Sequence, residues 1–553
     1  MSNIKKYWGA PGTGKTTQLL SDINDLIKQG YNKDDFVITT YGRAMADEIK
    51  DRLGWDRSFE SVNTIHGICK QLAGIVHVVT DKHKKEFCTL FELNYEGDDD
   101  TDENYQQHDK SSLGSLFFNG KSFIINNMID FNSIMVWSRF YKLSDQVKLW
   151  NDHTESGKCF ISFRRELKSE NHAVEFKNPV IEFMQYISEQ YQIWKSYRNL
   201  YDFDDMLQIA YDKGLKPGIK ILIIDEFQDV TPLQYAIIVL WEQDAEHIII
   251  AGDPRQTIFG FTGADQKYFE HHPGETIILK KSYRLPKNIW NFARKIVTDV
   301  NLIAPDIQTT DKPGKLSNIT ENDYYTKIIS NYKENTFHLI RTNAMGKKIG
   351  HVLINEGIPF YGLGGWGANQ TSLYNAILKV RQGLLGNNPL LSSSEVRNLV
   401  MIYKKEMWVS TKKTLQKGMY FNDLRNHGKA QLWDNINNPR SVFNDCIHPF
   451  SDVKSVARAK LSNALQKHSQ LIENLTVAVL TIHRSKGLET KHVFLHDQII
   501  ALIAEKIMEF EKAAQDEAQV FYVGSTRASE SLFIVNANEG YTYEFPILLG
   551  ESI

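Results

Sequence analysis

Short runs of apolar, often β-branched residues recur along this 553-residue chain, and they end in polar or glycine-rich turns. Such runs predict strands buried on both faces of a parallel sheet. Helix-like stretches at 16–29 and 43–53 lie between the first runs. This alternation is typical of doubly wound α/β domains, and we expect two of them. The predicted strands lie at 36–40, 221–224, 248–251, 277–279, 338–340, 477–481 and 492–495.

Two long regions interrupt the alternation. Residues 76–196 and 366–471 have a mainly helical pattern. A chain of this length exceeds what one hydrophobic core organises, so several domains are expected. We predict a first α/β domain at 1–75 and 197–275, which carries the insertion 76–196. The second α/β domain is predicted at 276–365 and 472–553, and it carries the insertion 366–471.

The composition is that of a globular protein, with 42% hydrophobic residues, 24% charged residues and a net charge of −3. If nucleic acid is a partner, the positive potential must be confined to a cleft. Four cysteines without a Cys-x-x-Cys pair argue against a zinc ribbon or a disulfide framework and predict reduced cytoplasmic thiols. The N-terminus lacks an apolar signal stretch, and no apolar run approaches the roughly 20 residues of a membrane helix, so no membrane contact is expected.

A glycine-rich segment near the N-terminus has the pattern G-x-x-x-x-G-K-[ST]. Backbone N–H groups of such a loop can wrap phosphates, Lys15 can neutralise phosphate charge, and Thr16 can ligate Mg²⁺. The segment predicts a phosphate-binding loop made of Gly9, Ala10, Pro11, Gly12, Thr13, Gly14, Lys15 and Thr16.

A pair of carboxylates follows the predicted strand at 221–224. Asp225 stands at the carboxyl end of that strand, where it can hold Mg²⁺, and Glu226 can activate water. Together with the glycine-rich segment, this pair predicts hydrolysis of a nucleoside triphosphate. Kinases and transporter ATPases share both features, so other segments must select among these classes.

Further segments resemble the UvrD/Rep/PcrA family of superfamily 1 DNA helicases. Residues 225–229, Asp-Glu-Phe-Gln-Asp, are similar to motif II of that family. In chain order, the other segments resemble motif Ia, the T-x-H element and motifs Ic, III, IV, V and VI. They are 39–53, 64–66, 202–207, 252–261, 282–284, 481–489 and 522–528. The resemblance implies an α/β fold with two RecA-like P-loop motor domains, each with a mainly helical insertion, and ATP in the cleft between them.

The resemblance also implies roles around ATP and Mg²⁺. Glu226 would orient and deprotonate the attacking water, and Gln256 would sense the γ-phosphate. Arg284 and Arg527 would contact the γ-phosphate as two arginine fingers from the second motor domain. The remaining nucleotide-site residues are Tyr283 stacked on adenine, Gly487 and Glu489 near the ribose, and Thr17, which replaces an arginine that often helps to sandwich adenine.

A single strand held without sequence preference needs cationic contacts and aromatic platforms. Phe259 and Phe261 follow Gln256 closely enough to connect phosphate sensing with base stacking. In the alternative interpretation, Phe261 belongs to the core and His66 is a buried structural histidine. Thr40 takes the usual phenylalanine position in the motif Ia segment and Tyr41 the next one, so base stacking there is expected to be either weakened or shifted. The other predicted strand contacts are Arg43, Thr64, His66, Arg341, Asn343 and His483.

Three carboxylates at 202, 204 and 205 could form a metal cluster. They precede a helix-like run, where carboxylates cap free N–H groups and favour the helix dipole, so we interpret them as capping or structural residues.

The resemblance implies travel from 3′ to 5′ along single-stranded DNA and unwinding at junctions of duplex and single strand. Two alternatives stay open: a translocase that strips proteins from DNA with little unwinding, and a superfamily 1 helicase of opposite polarity. Only eight residues precede Gly9, so the upstream glutamine segment that reads adenine in relatives is expected to be absent. The chain ends soon after Arg527, which disfavours an attached nuclease, and no loader protein is identified by the sequence.

Overall fold

The computed structural model describes residues 3–96, 112–170, 178–328, 331–332, 334–356, 358, 360–363, 376, 379–402, 408–409, 415, 419–437 and 476–546. The chain divides into two compact units. Unit 1 comprises Met1–Arg284 and Ile303–Thr309, and unit 2 comprises Leu285–Leu302 and Thr310–Ile553. The first and last divisions fall within two short strands, β7 (Lys281–Pro286) and β8 (Gln308–Thr310). The first division, between Arg284 and Leu285, lies nine residues beyond the predicted boundary at 275/276.

Unit 1 contains one six-stranded sheet with the order β3-β2-β4-β5-β1-β6, and all of its pairings are parallel. Its strands are β1 (Asn3–Trp8), β2 (Phe36–Thr39), β3 (Val62–Asn63), β4 (Ile221–Ile224), β5 (His247–Gly252) and β6 (Glu275–Ile278). Its main helices outside the insertion are α1 (Lys15–Lys28), α2 (Arg43–Leu53), α3 (Ile65–Leu72), α9 (Phe203–Asp212), α10 (Pro232–Glu242) and α11 (Gln266–His271).

Both faces of this sheet are covered, because side chains alternate along each strand. In β4, Ile221 and Ile223 pack with α1 and α2, whereas Leu222 and Ile224 pack with α3, α9 and α10. This is the doubly wound α/β arrangement expected from the alternation of strands and helices. All carboxyl strand ends therefore meet at one edge of the sheet.

The sequence pattern did not reveal β1, although this strand pairs with both β5 and β6. Lys5 and Lys6 interrupt its apolar residues. Lys6 is nevertheless buried, and its ammonium donates to the carbonyls of Phe269, Glu270 and His272 at 3.3, 3.3 and 2.6 Å. A lysine satisfied by backbone carbonyls can occupy a strand interior, and only the fold supplies those carbonyls.

The region predicted as the first insertion is helical wherever the structure describes it, apart from short turns and loops. Its helices are α4 (Asp81–Leu90), α5 (Leu113–Asn126), α6 (Phe140–His153), α7 (Glu155–Glu170) and α8 (Pro179–Ser196). They enclose a core rich in aromatic residues, including Phe87, Phe117, Phe183 and Tyr191. A bridge between Val78 and Tyr201 brings the two ends of the insertion together.

Unit 2 also has a six-stranded parallel sheet, with the order β11-β14-β10-β15-β17-β9. These strands are β9 (Lys315–Thr320), β10 (Thr336–Ile340), β11 (Tyr361–Gly362), β14 (Val477–Thr481), β15 (Thr490–His496) and β17 (Ala528–Asn536). Short pairs are formed by β12 (Leu390–Leu391) with β13 (Met419–Tyr420), and by β16 (Gln498–Ile499) with β18 (Tyr541–Thr542). The helices around the sheet include α12 (Lys287–Thr298), α13 (Asn343–Asn355), α17 (Ala501–Glu509) and α18 (Glu511–Ser525).

Part of the region predicted as the second insertion packs on this unit. It includes α14 (Ser393–Ile402), α15 (Phe421–Arg425) and α16 (Ala430–Asn437). Leu399, Phe421 and Trp433 from these helices share a core with Ile340 and Val479 of the sheet. The rest of 366–471 lies largely outside the described residues. Across the described part of the chain, no helix has both the length and the apolar character needed to cross a membrane.

Candidate functional site

The glycine-rich segment joins β1 to α1 at the carboxyl edge of the first sheet. Gly12 and Gly14 have φ angles of 73° and 81°, in the left-handed region that favours glycine. The Gly9 N–H donates to the carbonyl of Gly252 at 3.0 Å, which ties the loop to β5. The Lys15 ammonium donates to the Gly9 carbonyl at 3.0 Å, so its side chain folds back over the loop. A Cβ at Gly9 would lie 2.5 Å from Cγ of Lys15, so this approach requires glycine.

Thr16 and Asp225 bring two oxygen ligands together beside this loop. The Thr16 hydroxyl donates to Oδ2 of Asp225 at 3.0 Å. The Asp225 N–H donates to the Thr39 carbonyl at 2.9 Å, which fixes the residue at the end of β4. Burial, and then the charge of Glu226, raise the pKa of Asp225 to about 6. A hydroxyl and a buried carboxylate are oxygen donors of the kind that Mg²⁺ prefers, and a bound cation would offset the cost of burying Asp225.

Glu226 adopts a backbone conformation that is unusual for its residue type. Its φ and ψ angles are 54° and 40°, and left-handed geometry costs an L-residue about 1–2 kcal/mol. Its side chain is partly exposed and accepts a hydrogen bond from Nε2 of Gln228 at 2.5 Å. The turn therefore presents the carboxylate at the sheet edge, in contact with a neighbouring amide.

Asp253, directly after β5, connects three of the predicted segments. Its carboxylate accepts from Nε1 of Trp8 at 3.2 Å and from Nε2 of Gln256 at 2.9 Å. Its N–H donates to Oε1 of Gln228 at 3.0 Å. Trp8 precedes the phosphate-binding loop, Gln228 follows Glu226, and Gln256 is the predicted γ-phosphate sensor. One buried residue thus joins the loops that follow β1, β4 and β5.

The segment 282–284 runs alongside the glycine-rich loop. The Tyr283 N–H donates to the Gly12 carbonyl at 2.9 Å, and the Ser282 hydroxyl donates to the Pro11 carbonyl at 2.9 Å. A Cβ on Gly12 would lie 2.4 Å from Cβ of Arg284. Arg284 falls in unit 1, with this loop. The Tyr283 ring is 71% exposed, so a planar group can stack on it next to the loop.

Thr17, which stands where an arginine is common in the family, accepts a hydrogen bond from a guanidinium on another helix. Nη2 of Arg52, in α2, donates to the Thr17 hydroxyl at 3.2 Å. Arg52 also pairs with Glu48 at 3.4 Å. A positive group therefore still lies beside the start of α1.

An aromatic stack lies after β2 and β5. The rings of Tyr41 and Phe259 are parallel within 9°, with centroids 5.1 Å apart. Phe261 meets Phe259 edge-on at 6.0 Å. Phe259 is buried, whereas Tyr41 is 40% exposed and Phe261 is partly exposed. The exposed part of this stack is therefore formed by Tyr41 and Phe261, with Phe259 packed against both rings.

The other predicted strand contacts of unit 1 lie at helix starts. The Thr64 hydroxyl accepts from the Gly67 N–H at 3.2 Å and caps α3. His66 packs edge-on against Phe203 at 5.8 Å, and burial lowers the pKa of His66 to about 4. Its ring is therefore neutral at pH 7 and offers hydrogen bonding and stacking instead of charge. Arg43 begins α2 and is exposed.

Two of the three carboxylates at 202–205 cap α9, and the third, Asp204, accepts hydrogen bonds from side chains of the insertion. Oδ1 of Asp202 accepts from the Asp205 N–H at 3.0 Å, and Oδ2 of Asp205 accepts from the Asp202 N–H at 2.7 Å. Two lysines from the insertion complete the cluster: Lys195 binds Asp202 and Asp205, and Lys121 binds Asp202 and Asp204. The capping interpretation is confirmed for Asp202 and Asp205, and Asp204 has the structural role of attaching the insertion to α9 together with them.

The candidate residues of unit 2 also gather at a carboxyl sheet edge. Asn343 begins α13 after β10, and His483 begins a short 3₁₀ turn after β14. Because β10 and β14 are parallel neighbours, both residues lie at the same edge. Nε and Nη2 of Arg341 donate to the two carboxylate oxygens of Glu517 at 2.7 and 3.2 Å. Its guanidinium is thus engaged within the unit, and its contact with a strand stays a prediction.

Arg527 holds the segments 481–489 and 522–528 together. It is buried, and its guanidinium donates to the carbonyls of Val523 and Leu488 at 2.9 and 3.1 Å. Gly487, with φ of 82°, and Glu489 flank Leu488 and are exposed. The contacts of Arg527, Gly487 and Glu489 with a nucleotide stay predictions.

Two residues in this site received no role from the sequence, although both lie in quoted segments. Gln228 belongs to 225–229, and Asp253 belongs to 252–261. Their membership in those segments was the available signal. Their contact, between residues 25 positions apart, is a product of the fold.

Comparison with known proteins places this geometry in a family. The UvrD/REP helicase N-terminal domain matches residues 8–275, which include the phosphate-binding loop and the segments up to 252–261. The UvrD-like helicase C-terminal domain matches residues 390–539, which include 481–489 and 522–528. The segment 282–284 lies outside both matches.

Individual relatives agree with these matches. A probable DNA helicase II homolog of Mycoplasma capricolum is 24% identical over 435 residues, covering 62% of this chain and 60% of that protein. The ATP-dependent DNA helicase PcrA of Leuconostoc citreum is 24% identical over 435 residues, covering 61% and 58%. DNA helicase II of Escherichia coli is 27% identical over 223 residues, covering 35% and 31%. The matched region spans three fifths or less of each relative's length. With the two domains matched in order and their motifs at the strand ends of both sheets, the chain belongs to the UvrD/Rep/PcrA helicase family.

Proposed function

We propose that this chain is an ATP-driven motor that moves 3′ to 5′ along single-stranded DNA and unwinds duplex DNA at junctions with a single strand. The observation that carries the proposal is the contact of Thr16 with Asp225 next to Glu226, in the unit that also carries the Tyr41–Phe259 stack. A phosphate-binding loop beside a carboxylate that can activate water supports ATP hydrolysis. An aromatic stack beside it supports the binding of unpaired bases.

The donor set fits Mg²⁺ together with a nucleoside triphosphate. Thr16 and Asp225 would hold the cation, which when bound neutralises charge on the β- and γ-phosphates. Lys15 would exchange the Gly9 carbonyl for a phosphate oxygen, because an ammonium gains more from an anion than from a neutral carbonyl. The backbone N–H groups of the loop would bind the remaining phosphate oxygens.

Protein side chains would perform the remaining steps of hydrolysis. Glu226 orients the attacking water and takes its proton. Gln256, held by Asp253, contacts the γ-phosphate and registers its loss. Tyr283 stacks on adenine, since its exposed ring lies next to the loop.

The relatives support movement along DNA, because their names describe DNA helicases, one of them ATP-dependent. Travel from 3′ to 5′ is supported by the resemblance of 202–207 and 252–261 to motifs Ic and III of the family. Tyr41, Phe261 and His66 would contact bases, with Arg43 near the phosphates. A neutral histidine and aromatic rings suit binding without sequence preference.

The first test compares the ATPase rate without nucleic acid, with single-stranded DNA and with single-stranded RNA. Lys15→Ala and Glu226→Gln should abolish turnover while fluorescence anisotropy still reports binding to an oligonucleotide. The matched control is Lys28→Ala, which removes an exposed lysine at the other end of α1, the helix that begins at Lys15, and it should behave as the wild type. A wild-type ATPase rate that is the same with and without single-stranded DNA would overturn the proposal. Normal DNA-stimulated hydrolysis in Glu226→Gln would show that another residue is the general base.

The second test concerns direction and strand separation. Duplexes with either a 3′ or a 5′ single-stranded tail should be unwound only from the 3′ tail, and equal or reversed preference refutes the polarity. Displacement of a bound protein is measured in parallel with unwinding of a bare fork. Displacement without fork unwinding would favour the protein-stripping translocase.

A further inference from the structure

Gln228 is almost completely enclosed and uses both ends of its amide. Its Nε2 donates to the carboxylate of Glu226 at 2.5 Å and to Oδ2 of Asp229 at 3.3 Å. Its Oε1 accepts the N–H of Asp253 at 3.0 Å. The partners determine the orientation of the amide: a flipped amide would set Oε1 against two carboxylates and Nε2 against an N–H donor.

Asp253 continues this connection towards the phosphate sensor. Its N–H binds Gln228, and its Oδ2 accepts from Nε2 of Gln256 at 2.9 Å. Gln228, Asp253 and Gln256 are all at most 4% exposed, so water competes little for these hydrogen bonds. Phe259, which supports the exposed ring of Tyr41, follows Gln256 by three residues.

The backbone around Gln228 also accommodates this arrangement. A Cβ at Gly252 would lie 2.5 Å from Oε1 of Gln228, although Gly252 lies in a regular strand. Glu226 stands in the left-handed region, a strained conformation that persists where the surroundings hold it. The absence of a Cβ at Gly252 therefore leaves room for the amide between the two loops.

We propose that Gln228 is a positioning residue that holds the Glu226 carboxylate and, through Asp253, couples it to Gln256 and the aromatic stack. This inference rests on the proposed function, because it presumes that Glu226 activates water and that Tyr41 contacts DNA. Since one amide binds both sides, a shift of Gln256 on phosphate binding or loss reaches Glu226 through three successive hydrogen bonds. Water activation and strand contact then respond to the same event.

The test uses Gln228→Met, which keeps the side-chain length and removes both polar atoms. The kcat of DNA-stimulated hydrolysis should fall on the order of 10- to 100-fold, the range expected for a lost hydrogen bond to a charged group. The KM for ATP should stay within about twofold, because the phosphate-binding loop and Lys15 are unchanged. Gln234→Met is the matched control: that amide caps α10 by accepting from the Thr231 N–H at 3.0 Å, and it should leave kcat unchanged.

A second measurement needs no turnover. The Kd for a fluorescent single-stranded oligonucleotide is determined with and without a non-hydrolysable ATP analogue. The analogue should change the Kd of the wild type and of Gln234→Met, and this change should vanish in Gln228→Met while the Kd without nucleotide stays the same. Gly252→Ala displaces the Gln228 amide without removing it, and it should reduce both kcat and the effect of the analogue on Kd. If Gln228→Met does not fold, Gly252→Ala provides the test in its place.

Each outcome has one meaning. A normal kcat in Gln228→Met, or a reduced kcat with an intact analogue effect, overturns the coupling. An analogue effect that is absent from the wild type overturns it as well. A wild-type ATPase without DNA stimulation instead overturns the proposed function, and the two failures are therefore distinguishable.

Discussion

Replacing Lys195 by methionine tests how the first insertion is attached to α9 within unit 1. The Lys195 side chain is 1% exposed, and its ammonium binds Asp202 at 2.9 Å and also binds Asp205. It lies 4.7 Å from the centre of the Tyr191 ring as well. Methionine retains most of the apolar stem but removes the charge. The buried carboxylates then have only Lys121 as a cationic partner within the cluster.

The expected cost follows from the burial of these carboxylates. Removing one partner of a buried ion pair typically costs about 3–5 kcal/mol, because the remaining charge is left uncompensated. For a unit of nearly 300 residues, an unfolding entropy of about 2.1 cal/mol/K per residue converts this loss to a fall in Tm of about 5–8 °C. Burial alone would raise the pKa of Asp202, but Lys121 and Lys195 lower it well below its ordinary value. Asp202 therefore stabilises the fold above the carboxyl pKa of the unfolded chain, about 3.9, and loses this contribution as pH falls through its folded pKa.

Urea unfolding at pH 7, followed by circular dichroism and tryptophan fluorescence, measures the difference. The deficit of Lys195→Met should shrink between pH 7 and pH 4, because protonation removes the uncompensated charge. Lys158→Met is the control, since Lys158 forms only an exposed pair with Glu155 at 2.8 Å, and no measurable change is expected. A loss below about 1 kcal/mol in Lys195→Met, where about 3–5 kcal/mol is expected, would refute the reasoning.

Three further substitutions probe the strand platform, the phosphate-binding loop and the core of unit 2. Tyr41→Ala should weaken single-stranded DNA binding by about 1–3 kcal/mol in anisotropy titrations. The same loss in Tyr197→Ala, at an 86% exposed tyrosine outside the aromatic stack, would contradict a specific role of Tyr41. Gly12→Ala should raise the KM for ATP, because the new Cβ would lie 2.4 Å from Cβ of Arg284 and the φ of 73° at this position strains an alanine. An unchanged KM would show that the loop shifts to accommodate the methyl group. His496 is buried, and burial lowers its pKa to about 3. As pH falls below about 6.5, the histidine therefore takes up a proton in the unfolded chain but stays neutral in the folded one. This difference lowers the free energy of unfolding by about 1.4 kcal/mol at pH 5.5. His496→Phe should therefore reduce the loss of stability between pH 7.5 and 5.5 in urea titrations, and identical pH slopes would contradict this assignment.

Patterns that depend on neighbours along the chain were predictable from the sequence. The doubly wound α/β class is confirmed, and the helix predicted at 43–53 coincides with α2. The capping of α9 by Asp202 was also predictable, because a cap involves residues three positions apart. The phosphate-binding loop and the carboxylates after β4 follow from short motifs, and the order of these motifs identified the family, as the domain matches confirm.

Contacts between distant residues were decided by tertiary structure alone. The sequence contains Gln228 and Asp253, but only the pairing of β4 with β5 brings the loops that follow them together. Likewise, Arg341 meets Glu517 across 176 residues, and Lys195 meets carboxylates that the sequence assigns only to a helix start. The lysine pattern of β1 resembles that of an exposed segment, although Lys6 is buried and binds carbonyls at the end of α11. A local pattern specifies which backbone conformation is favoured, whereas the partners of a buried polar group are specified by the packing of the whole sheet.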